Sequence, residues 1–483
     1  MICLPIVAKT NAEAFRLLEL AAPEPADLYE LRFDLWEEAP DIAGLLRAAT
    51  RPVIATCRSR EQGGNFQGDA ATRLALLQAA MDAGAEYIDA EEDVIGSLER
   101  RDGAVVIASW HDFGGMPADL RAVSDRLAAT PCDWVKFAVT PKRLGDNFTV
   151  LNAIRASRKP AIGIAMGELG LATRILGPAH GSMLTFGTLS AGLESAPGQT
   201  TARQLAEVYR LKAITRDTAV YGLVGDPVRH SAGPVFHNRA FAALGVDAVY
   251  IPFLCSDLGG FIKDAPQAIN LCGLSVTMPL KHDALALADR ASEMAARSGA
   301  ANTLSRIDGA WHADNTDFVA VAGGVGDHAR QGGIVLEKAE ALLLGTGGAA
   351  RAIGGALESL GCRVTVSGRN QDKTRSLAAD MGWKSIAWNA RTADGWKVVA
   401  NSTPIGMSPH IDETPFPAGH WHAGMVAFDA VYHPRSTRFL REAGAAGAVT
   451  VDGVDMFIRQ GMEQFRLWTG REIPEALRHI PEA

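Results

Sequence analysis

At 483 residues the chain is too long for one ordinary core and suits two or three domains. Its composition, 47% hydrophobic and 21% charged with a formal charge of −8, is that of a globular protein. It offers no long basic run to nucleic acid and no apolar stretch near the roughly 20 residues that span a bilayer.

The six cysteines (Cys3, Cys57, Cys132, Cys255, Cys272 and Cys362) are scattered without a CxxC pair. That argues against a zinc site or disulfide framework and for a reducing, cytoplasmic setting. The opening run, Met1-Ile2-Cys3-Leu4-Pro5-Ile6-Val7, has no basic leader and reads as a first strand, not as a signal or transit peptide.

From there short apolar or β-branched runs recur at Ile2–Ala8, Leu28–Phe33, Val53–Thr56, Tyr87–Ala90, Val105–Ser109, Trp134–Val139, Ile162–Ala165 and Met183–Phe186. Alanine- and leucine-rich segments such as Ala70–Ala83 and Ala118–Ala129 lie between them. Eight strand–helix units predict an α/β fold, a (β/α)8 barrel over residues 1–213. Chemistry in such a barrel sits at the C-terminal strand ends. That is where the odd residues fall: Glu30, Arg32 and Asp34, then Arg58, then His111.

Lys136 lies inside the sixth strand, where period-2 alternation sets Trp134, Lys136 and Ala138 against an apolar face of Val135, Phe137 and Val139. The apolar face should meet the helices and turn Lys136 into the barrel. Burial disfavours an ammonium ion, and imine formation needs the neutral amine. The plainer alternative is a lysine snorkelling from a strand edge, and His111 alone could equally be a core histidine. Two basic residues on adjacent strand ends point to a shared site.

This half resembles the type I 3-dehydroquinate dehydratases along its whole length. The likeness is carried by Glu30-Leu31-Arg32-Phe33-Asp34, Thr56-Cys57-Arg58, Ser109-Trp110-His111-Asp112-Phe113, Val135-Lys136-Phe137, Met166-Gly167, Arg174 and Ser195-Ala196-Pro197-Gly198-Gln199. The resemblance implies a Schiff base on Lys136, with His111 as the proton-transfer group. It implies a carboxylate clamp at Arg174, lid contacts from Ser195 and Gln199, and hydroxyl contacts from Glu30, Arg32 and Arg58. One position departs: Gln62 stands where the family usually has glutamate, with Glu61 one residue early.

The helical stretch Thr201–Ala213 and Thr215-Arg216-Asp217-Thr218 lead to a second half. Here a buried strand, residues 341–345, runs into Gly345-Thr346-Gly347-Gly348-Ala349-Ala350, and a helix Ala349–Leu360 follows. Strand, glycine loop and helix in that order are the context of a dinucleotide fingerprint, with the pyrophosphate on the helix N-terminus. The next strand ends in Ser367-Gly368-Arg369-Asn370 with Lys373 nearby and no carboxylate, which favours NADP over NAD. Upstream, Asn, Thr, Asp and Lys cluster around Thr277, Lys281, Asn302 and Asp317 as in a polyol-binding cleft.

As a set these resemble the shikimate dehydrogenases, which implies a two-lobed α/β enzyme. A substrate domain would occupy 219–330 with a C-terminal helix 455–483, and a Rossmann NADP-binding domain 331–454. The motif Gly225-Asp226-Pro227-Val228-Arg229-His230-Ser231 matches at the start; Asn401-Ser402-Thr403-Pro404-Ile405-Gly406-Met407 and Asp429-Ala430-Val431-Tyr432-His433-Pro434 match downstream, with Gly453, Met456 and Gln460. The resemblance implies Lys281 and Asp317 as the acid–base pair. Asn302, Thr277 and Gln460 would meet ring hydroxyls, and Ser231 and Tyr432 the carboxylate. Gly345, Gly347, Gly348, Ala349, Arg369, Thr403 and Gly453 would hold the cofactor.

A second departure is Ser231-Ala232-Gly233-Pro234, where the family normally has Ser-x-Ser-Pro. A lost charge-assisted hydrogen bond is worth roughly 1.5–3 kcal/mol. It also opens space at the substrate carbon where quinate carries an extra hydroxyl. The expectation is a bifunctional enzyme that dehydrates 3-dehydroquinate and reduces the product to shikimate; the alternative pairs the dehydratase with a quinate or dual-specificity dehydrogenase. A regulatory protein built from inactive copies is disfavoured, because Lys136, His111, Lys281 and Asp317 are all present.

Overall fold

The computed structural model describes residues 1–480 apart from 191, 197 and 230. Pro197 and His230 of the motifs above, and residues 481–483 of the expected C-terminal helix, lie outside the described residues. The chain divides into two compact units, Met1–Pro234 with Phe241–Leu271, and Val235–Ala240 with Cys272–Ala483.

In the first unit eight strands form one sheet: β1 (Ile2–Ile6), β2 (Leu28–Arg32), β3 (Val53–Thr56), β4 (Tyr87–Glu91), β5 (Val105–Asp112), β6 (Trp134–Val139), β7 (Ala161–Ala165) and β8 (Thr185–Phe186). Their order is β7-β6-β5-β4-β3-β2-β1-β8 with parallel pairing throughout, and a single bridge from Ala161 to Ser182 nearly closes the ring. Inward residues come in layers. Cys3, Leu28, Ile54, Ile107, Ile162 and Leu184 form an apolar floor. Two residues further along the same strands, on the same face, stand Glu30, Thr56 and Ser109, and Lys136 stands two residues beyond Trp134, which packs against that floor. The pleat thus lifts the polar side chains off a dry floor, toward the end of the barrel where the loops gather.

Two further strands of this unit, β9 (Ala219–Gly225) and β10 (Ala248–Leu254), pair in parallel. The helix expected over Thr201–Ala213 is broken. A wide turn at Gln204–Val208 closes with Tyr209 N–H on the Gln204 carbonyl, and Arg210 then takes a left-handed backbone (φ 53°) before a short 3-10 turn, Leu211–Ala213.

The second unit holds β11 (Leu271–Val276) almost entirely, with β12 (Arg290–Ala291), β13 (Thr303–Ile307) and β14 (Ala310–Asp314). β13 runs antiparallel to β11 and β14, and β12 is parallel to β14. Beyond them β15 (Glu340–Leu344), β16 (Arg363–Ser367), β17 (Lys384–Ile386), β18 (Val398–Asn401), β19 (Val426–Asp429) and β20 (Val449–Val451) make a parallel sheet in the order β17-β16-β15-β18-β19-β20. That is the doubly wound order of dinucleotide-binding folds, with its switch point at β15. Leu342, Leu344, Val399 and Ala427 pack on Phe416, Trp421 and Phe439 on one face; Leu343, Ala400 and Phe428 pack on Ile353 and Ala356 on the other. A strand apolar on both faces is what a sheet covered by helices requires. The C-terminal helix spans Gly453–Thr469, shorter than expected, because Gly470 turns left-handed and ends it.

Among the described residues no helix is long and apolar enough to cross a membrane. Nor do any three His, Cys, Asp or Glu side chains gather as a metal site there.

Candidate active sites

The strand ends of the barrel enclose one pocket. It is lined by Glu30, Arg32, Arg58, His111, Lys136, Arg174, Ser195 and Gln199, the eight barrel residues that the resemblance gave a role, together with Gln62, Phe113 and Phe186; Asp34 is not among them. Lys136 is 5% exposed; its Nζ lies 2.7 Å from Asp89 Oδ2, 3.5 Å from Glu30 Oε1 and 4.5 Å from the centre of the Phe186 ring.

Asp89 is the hub beneath it. Its Oδ1 accepts from Arg58 at 2.8 Å and from the Ser109 hydroxyl at 2.5 Å. Burial works to raise the Asp89 pKa, but Arg58 and Lys136 beside it win and hold it far below the carboxylate range. Arg58 also donates to Glu91 at 3.2 Å and to Ser109 at 2.7 Å, and Arg73 approaches Glu91 from the other side at 2.9 Å. Arg32 is clamped by Asp34 through two 2.8 Å bonds, which raise its pKa against the effect of burial.

Asp89 and Glu91 were missed in the sequence. Yet two acids two residues apart on the fourth strand, within Tyr87-Ile88-Asp89-Ala90-Glu91, carry the same alternation signal that exposed Lys136.

His111 belongs to β5, which runs three residues beyond its expected end because His111 and Asp112 pair with Ala138 and Val139. Its backbone N–H donates to Gln62 Oε1 at 2.9 Å, and its Nδ1 lies 3.3 Å from that same oxygen. A carbonyl oxygen only accepts, so Gln62 favours the Nδ1–H tautomer and leaves Nε2 bare toward the pocket. Withdrawal from water, then Arg58 and Lys136, push the imidazole well below its ordinary value, so the ring is neutral at neutral pH. Gln62 was set aside in the sequence as a departure; the structure makes it the contact partner of His111.

Arg174 is 1% exposed, and burial lowers it to about 10. A desolvated guanidinium facing a pocket favours an anionic ligand. Above it Gln199 and Ser195 bond to each other, Nε2 to Oγ at 3.0 Å and the Ser195 N–H to Oε1 at 2.9 Å. Their loop presses on the Met166-Gly167 turn so closely that a Cβ at Gly198 (φ +74°) would fall 2.1 Å from the Gly167 carbonyl oxygen, so only glycine fits.

In the second unit Lys281 opens the helix Lys281–Leu287, where a cation gains nothing from the helix dipole. Asp317, in the first turn of the helix Thr316–Gln331, is favoured by that dipole and meets Lys281 Nζ at 2.5 Å. Asn302 donates to Asp317 Oδ1 and to Thr316 Oγ1, both at 2.9 Å, and accepts from the Thr316 N–H at 2.8 Å. Gln464, not foreseen, holds this corner from the C-terminal helix, donating to the Asn302 carbonyl at 3.2 Å and to Thr303 Oγ1 at 3.0 Å while accepting from Ser275 at 2.8 Å.

Thr277 follows β11, half-buried. Tyr432 is 42% exposed with its ring 5.8 Å from that of Phe457, and the Gln460 amide donates to the Phe457 carbonyl at 3.0 Å. Gly453 lets the last helix start against the Tyr432 loop, since a Cβ there would meet the Val431 carbonyl oxygen at 2.5 Å. Ser231 is described with the first unit, where its hydroxyl accepts from the Gly233 N–H at 3.1 Å.

The glycine loop follows β15 and leads into the helix Ala350–Ser359, whose first turn has no side-chain cap and no acidic residue. A Cβ at Gly347 or Gly348 would meet nothing within 4 Å. Open space over uncapped N–H groups fits a pyrophosphate. Beyond β16, Asn370 caps the helix Gln371–Met381, leaving exposed Arg369 and Lys373 beside the loop, as a 2′-phosphate requires. Thr403 is fixed by Asn401, whose Oδ1 accepts from its N–H at 2.9 Å and its hydroxyl at 2.6 Å. Asn401 in turn donates to Asp429 at 3.0 Å, and burial raises that carboxyl to about 6.

Residues 2–216 match the family described as type I 3-dehydroquinase, 223–304 the shikimate dehydrogenase substrate binding domain, and 453–477 the shikimate 5′-dehydrogenase C-terminal domain. A bifunctional 3-dehydroquinate dehydratase/shikimate dehydrogenase, chloroplastic, of Arabidopsis thaliana is 34% identical over 99% of this chain and 83% of its own. A shikimate dehydrogenase (NADP(+)) of Oleidesulfovibrio alaskensis is 40% identical over 53% of this chain and 92% of its own. Among solved structures, a quinate dehydrogenase of Corynebacterium glutamicum in complex with NAD is 27% identical, covers 54% of this chain and 98% of its own, and superposes with a TM-score of 0.51.

Proposed function

The chain belongs to the family of bifunctional 3-dehydroquinate dehydratase/shikimate dehydrogenase enzymes, and from that premise we propose how its own residues carry the two reactions. It is a shikimate-pathway enzyme: its first half dehydrates 3-dehydroquinate to 3-dehydroshikimate, and its second reduces that product to shikimate with NADPH. We assign 1–213 to the dehydratase, 219–330 with the C-terminal helix to the substrate domain and 331–454 to the NADP domain.

In the barrel, Lys136 Nζ adds to the substrate ketone, and loss of water leaves a protonated imine. His111 Nε2 takes the proton from the neighbouring carbon, and the electron pair moves to the imine nitrogen. The imidazolium returns the proton to the leaving hydroxyl, which departs as water, and hydrolysis of the conjugated imine releases product and free lysine. Arg174 clamps the substrate carboxylate, while Glu30, Arg32 and Arg58 meet the ring hydroxyls and Ser195 and Gln199 close over it. The observation that carries this reading is that Lys136, His111 and Arg174 line one pocket.

In the second half, bound NADPH supplies a hydride. Gly345, Gly347, Gly348 and Ala349 would hold its pyrophosphate, Arg369 its 2′-phosphate, and Thr403 and Gly453 the remainder of the cofactor. Lys281 protonates the oxygen of the reduced carbon while Asp317 orients it. Thr277, Asn302 and Gln460 bind ring hydroxyls; Ser231 and Tyr432 bind the carboxylate. A cytoplasmic location belongs to the same proposal, supported by six free cysteines.

A second reading, quinate or dual quinate/shikimate oxidation, is favoured by Gly233. A Cβ there would meet Tyr250 Cε1 at 3.1 Å and Ser231 Oγ at 3.2 Å, so restoring the serine requires its neighbours to give by a few tenths of an ångström.

An NMR time course with 3-dehydroquinate and NADPH tests the proposal. Shikimate forming through transient 3-dehydroshikimate is expected. Quinate as the main product would transfer the second half to the other reading, and no dehydration at all would overturn the barrel assignment.

A further inference from the structure

The charge around Lys136 poses a problem for its chemistry. A protonated imine is the electron sink of the dehydration, and a neutral imine is a poor one. Yet several cationic groups face this nitrogen. Arg32 ends β2 and Arg58 follows β3, both lining the same pocket, and His111 gains a charge when it takes the substrate proton. Arg174 lines the same pocket, where the substrate carboxylate answers its charge, and the other ionisable groups packed around the nitrogen are Glu30, Asp89 and the thiol of Cys3. Arg32 is satisfied by Asp34, and the Cys3 thiol is pushed up by burial and stays neutral. The balance therefore rests on the two carboxylates.

They are not equivalent. Glu30 is 3.5 Å from Nζ, and the same Oε1 accepts from the Thr56 hydroxyl at 2.9 Å. Asp89 is 2.7 Å away, its side chain sealed from solvent. Its Oδ1 is pinned by Arg58 and Ser109, so Oδ2 points at the lysine and cannot swing out to water. When the ammonium becomes a protonated imine, the N–H and its positive charge stay on the same atom. The bond to Oδ2 then survives the conversion, whereas a neutral imine would leave that buried oxygen without a donor.

We propose that Asp89 is the counter-ion of the Lys136 imine, a further catalytic residue that keeps the imine protonated while His111 moves the substrate proton. This rests on the reading of Lys136 as the imine-forming residue. It also assigns Arg58 and Ser109 a positioning task, holding the carboxylate in place.

The test is reductive trapping of the full-length chain with 3-dehydroshikimate and sodium cyanoborohydride, which delivers hydride to the carbon of a protonated imine and leaves a stable secondary amine. Intact mass gives the adduct yield across a pH series. Wild type is expected to keep its yield well into the alkaline range, above the pH at which the imine of the same ketone with propylamine loses its proton. In Asp89→Asn the midpoint should fall by about 1–3 pH units, the size of effect an opposite charge at this distance exerts. The alkaline limb of dehydration kcat should fall with it, and Asp89→Glu should restore part of the range. Identical profiles for wild type and Asp89→Asn overturn the proposal. If Asp89→Asn does not fold, the wild-type curve decides alone: a midpoint matching the propylamine imine overturns it. A wild type that forms no adduct at any pH overturns the Lys136 reading instead, a different failure.

Discussion

The two halves hold a lysine–carboxylate pair each, Lys136–Asp89 at 2.7 Å and Lys281–Asp317 at 2.5 Å, but they support it in different ways. The barrel pair sits on the inner faces of β4 and β6, on either side of β5 and above an apolar floor, with Arg58, Ser109, Glu91 and Arg73 behind it in a continuous buried network. The second pair joins two helix starts and leans on Asn302, which Thr316 and Gln464 hold in turn. The difference follows from the chemistry. A covalent imine needs a lysine withdrawn from water and a fixed environment for a charge that stays on one nitrogen. Reduction brings the reactive hydride with the cofactor, so the lysine has only to present a proton at a cleft that must also open.

Mutations can break that comparison by striking one half at a time. His111→Ala should cost dehydration about 10²–10⁴-fold in kcat, the span of a positioned acid–base group, with NADP-linked shikimate oxidation unchanged. Asp317→Asn should produce the mirror image in steady-state assays, about 10²–10³-fold off shikimate oxidation with the dehydration rate kept. A single lesion that depresses both rates would show that the halves are not independent.

Finer changes sharpen the contrast. Gly233→Ser should lower the ratio of quinate to shikimate oxidation by about tenfold, the low end of one charge-assisted hydrogen bond. An unchanged ratio would remove the case for the quinate reading. Gln62→Glu acts through pH. A base works above its pKa, and His111 is held low by burial, Arg58 and Lys136. A carboxylate in place of the amide favours the imidazolium, so the acid limb of dehydration should move up by about 1–3 pH units with little change at its plateau. Movement in the opposite direction would show that the residue at 62 does not face the ring.

Much of this was legible before any coordinates. The eight barrel strands fall within a few residues of their expected limits, because buried parallel strands leave long apolar runs between helices. The eight barrel residues given a role by the resemblance line the pocket, while Asp34 instead clamps Arg32. What escaped notice depends on partners. Asp89 and Glu91 look like ordinary strand-end acids until Arg58 and Lys136 are seen against them. Gln62 looks like a weakened glutamate until its oxygen is found on His111. Gln464 gives no local sign of its role, since its partners, Ser275 and the adjacent Asn302 and Thr303, come from two segments far from it in the chain. The break at Arg210 was likewise hidden, because a left-handed arginine has no signature in a stretch of good helix formers.

The central claim is that one chain carries two chemistries that can be separated by a single lysine. Lys136→Ala, given NADPH and 3-dehydroquinate, should consume no cofactor; given NADPH and 3-dehydroshikimate, it should consume cofactor at the wild-type rate. Cofactor consumption with both substrates, or with neither, would contradict the account.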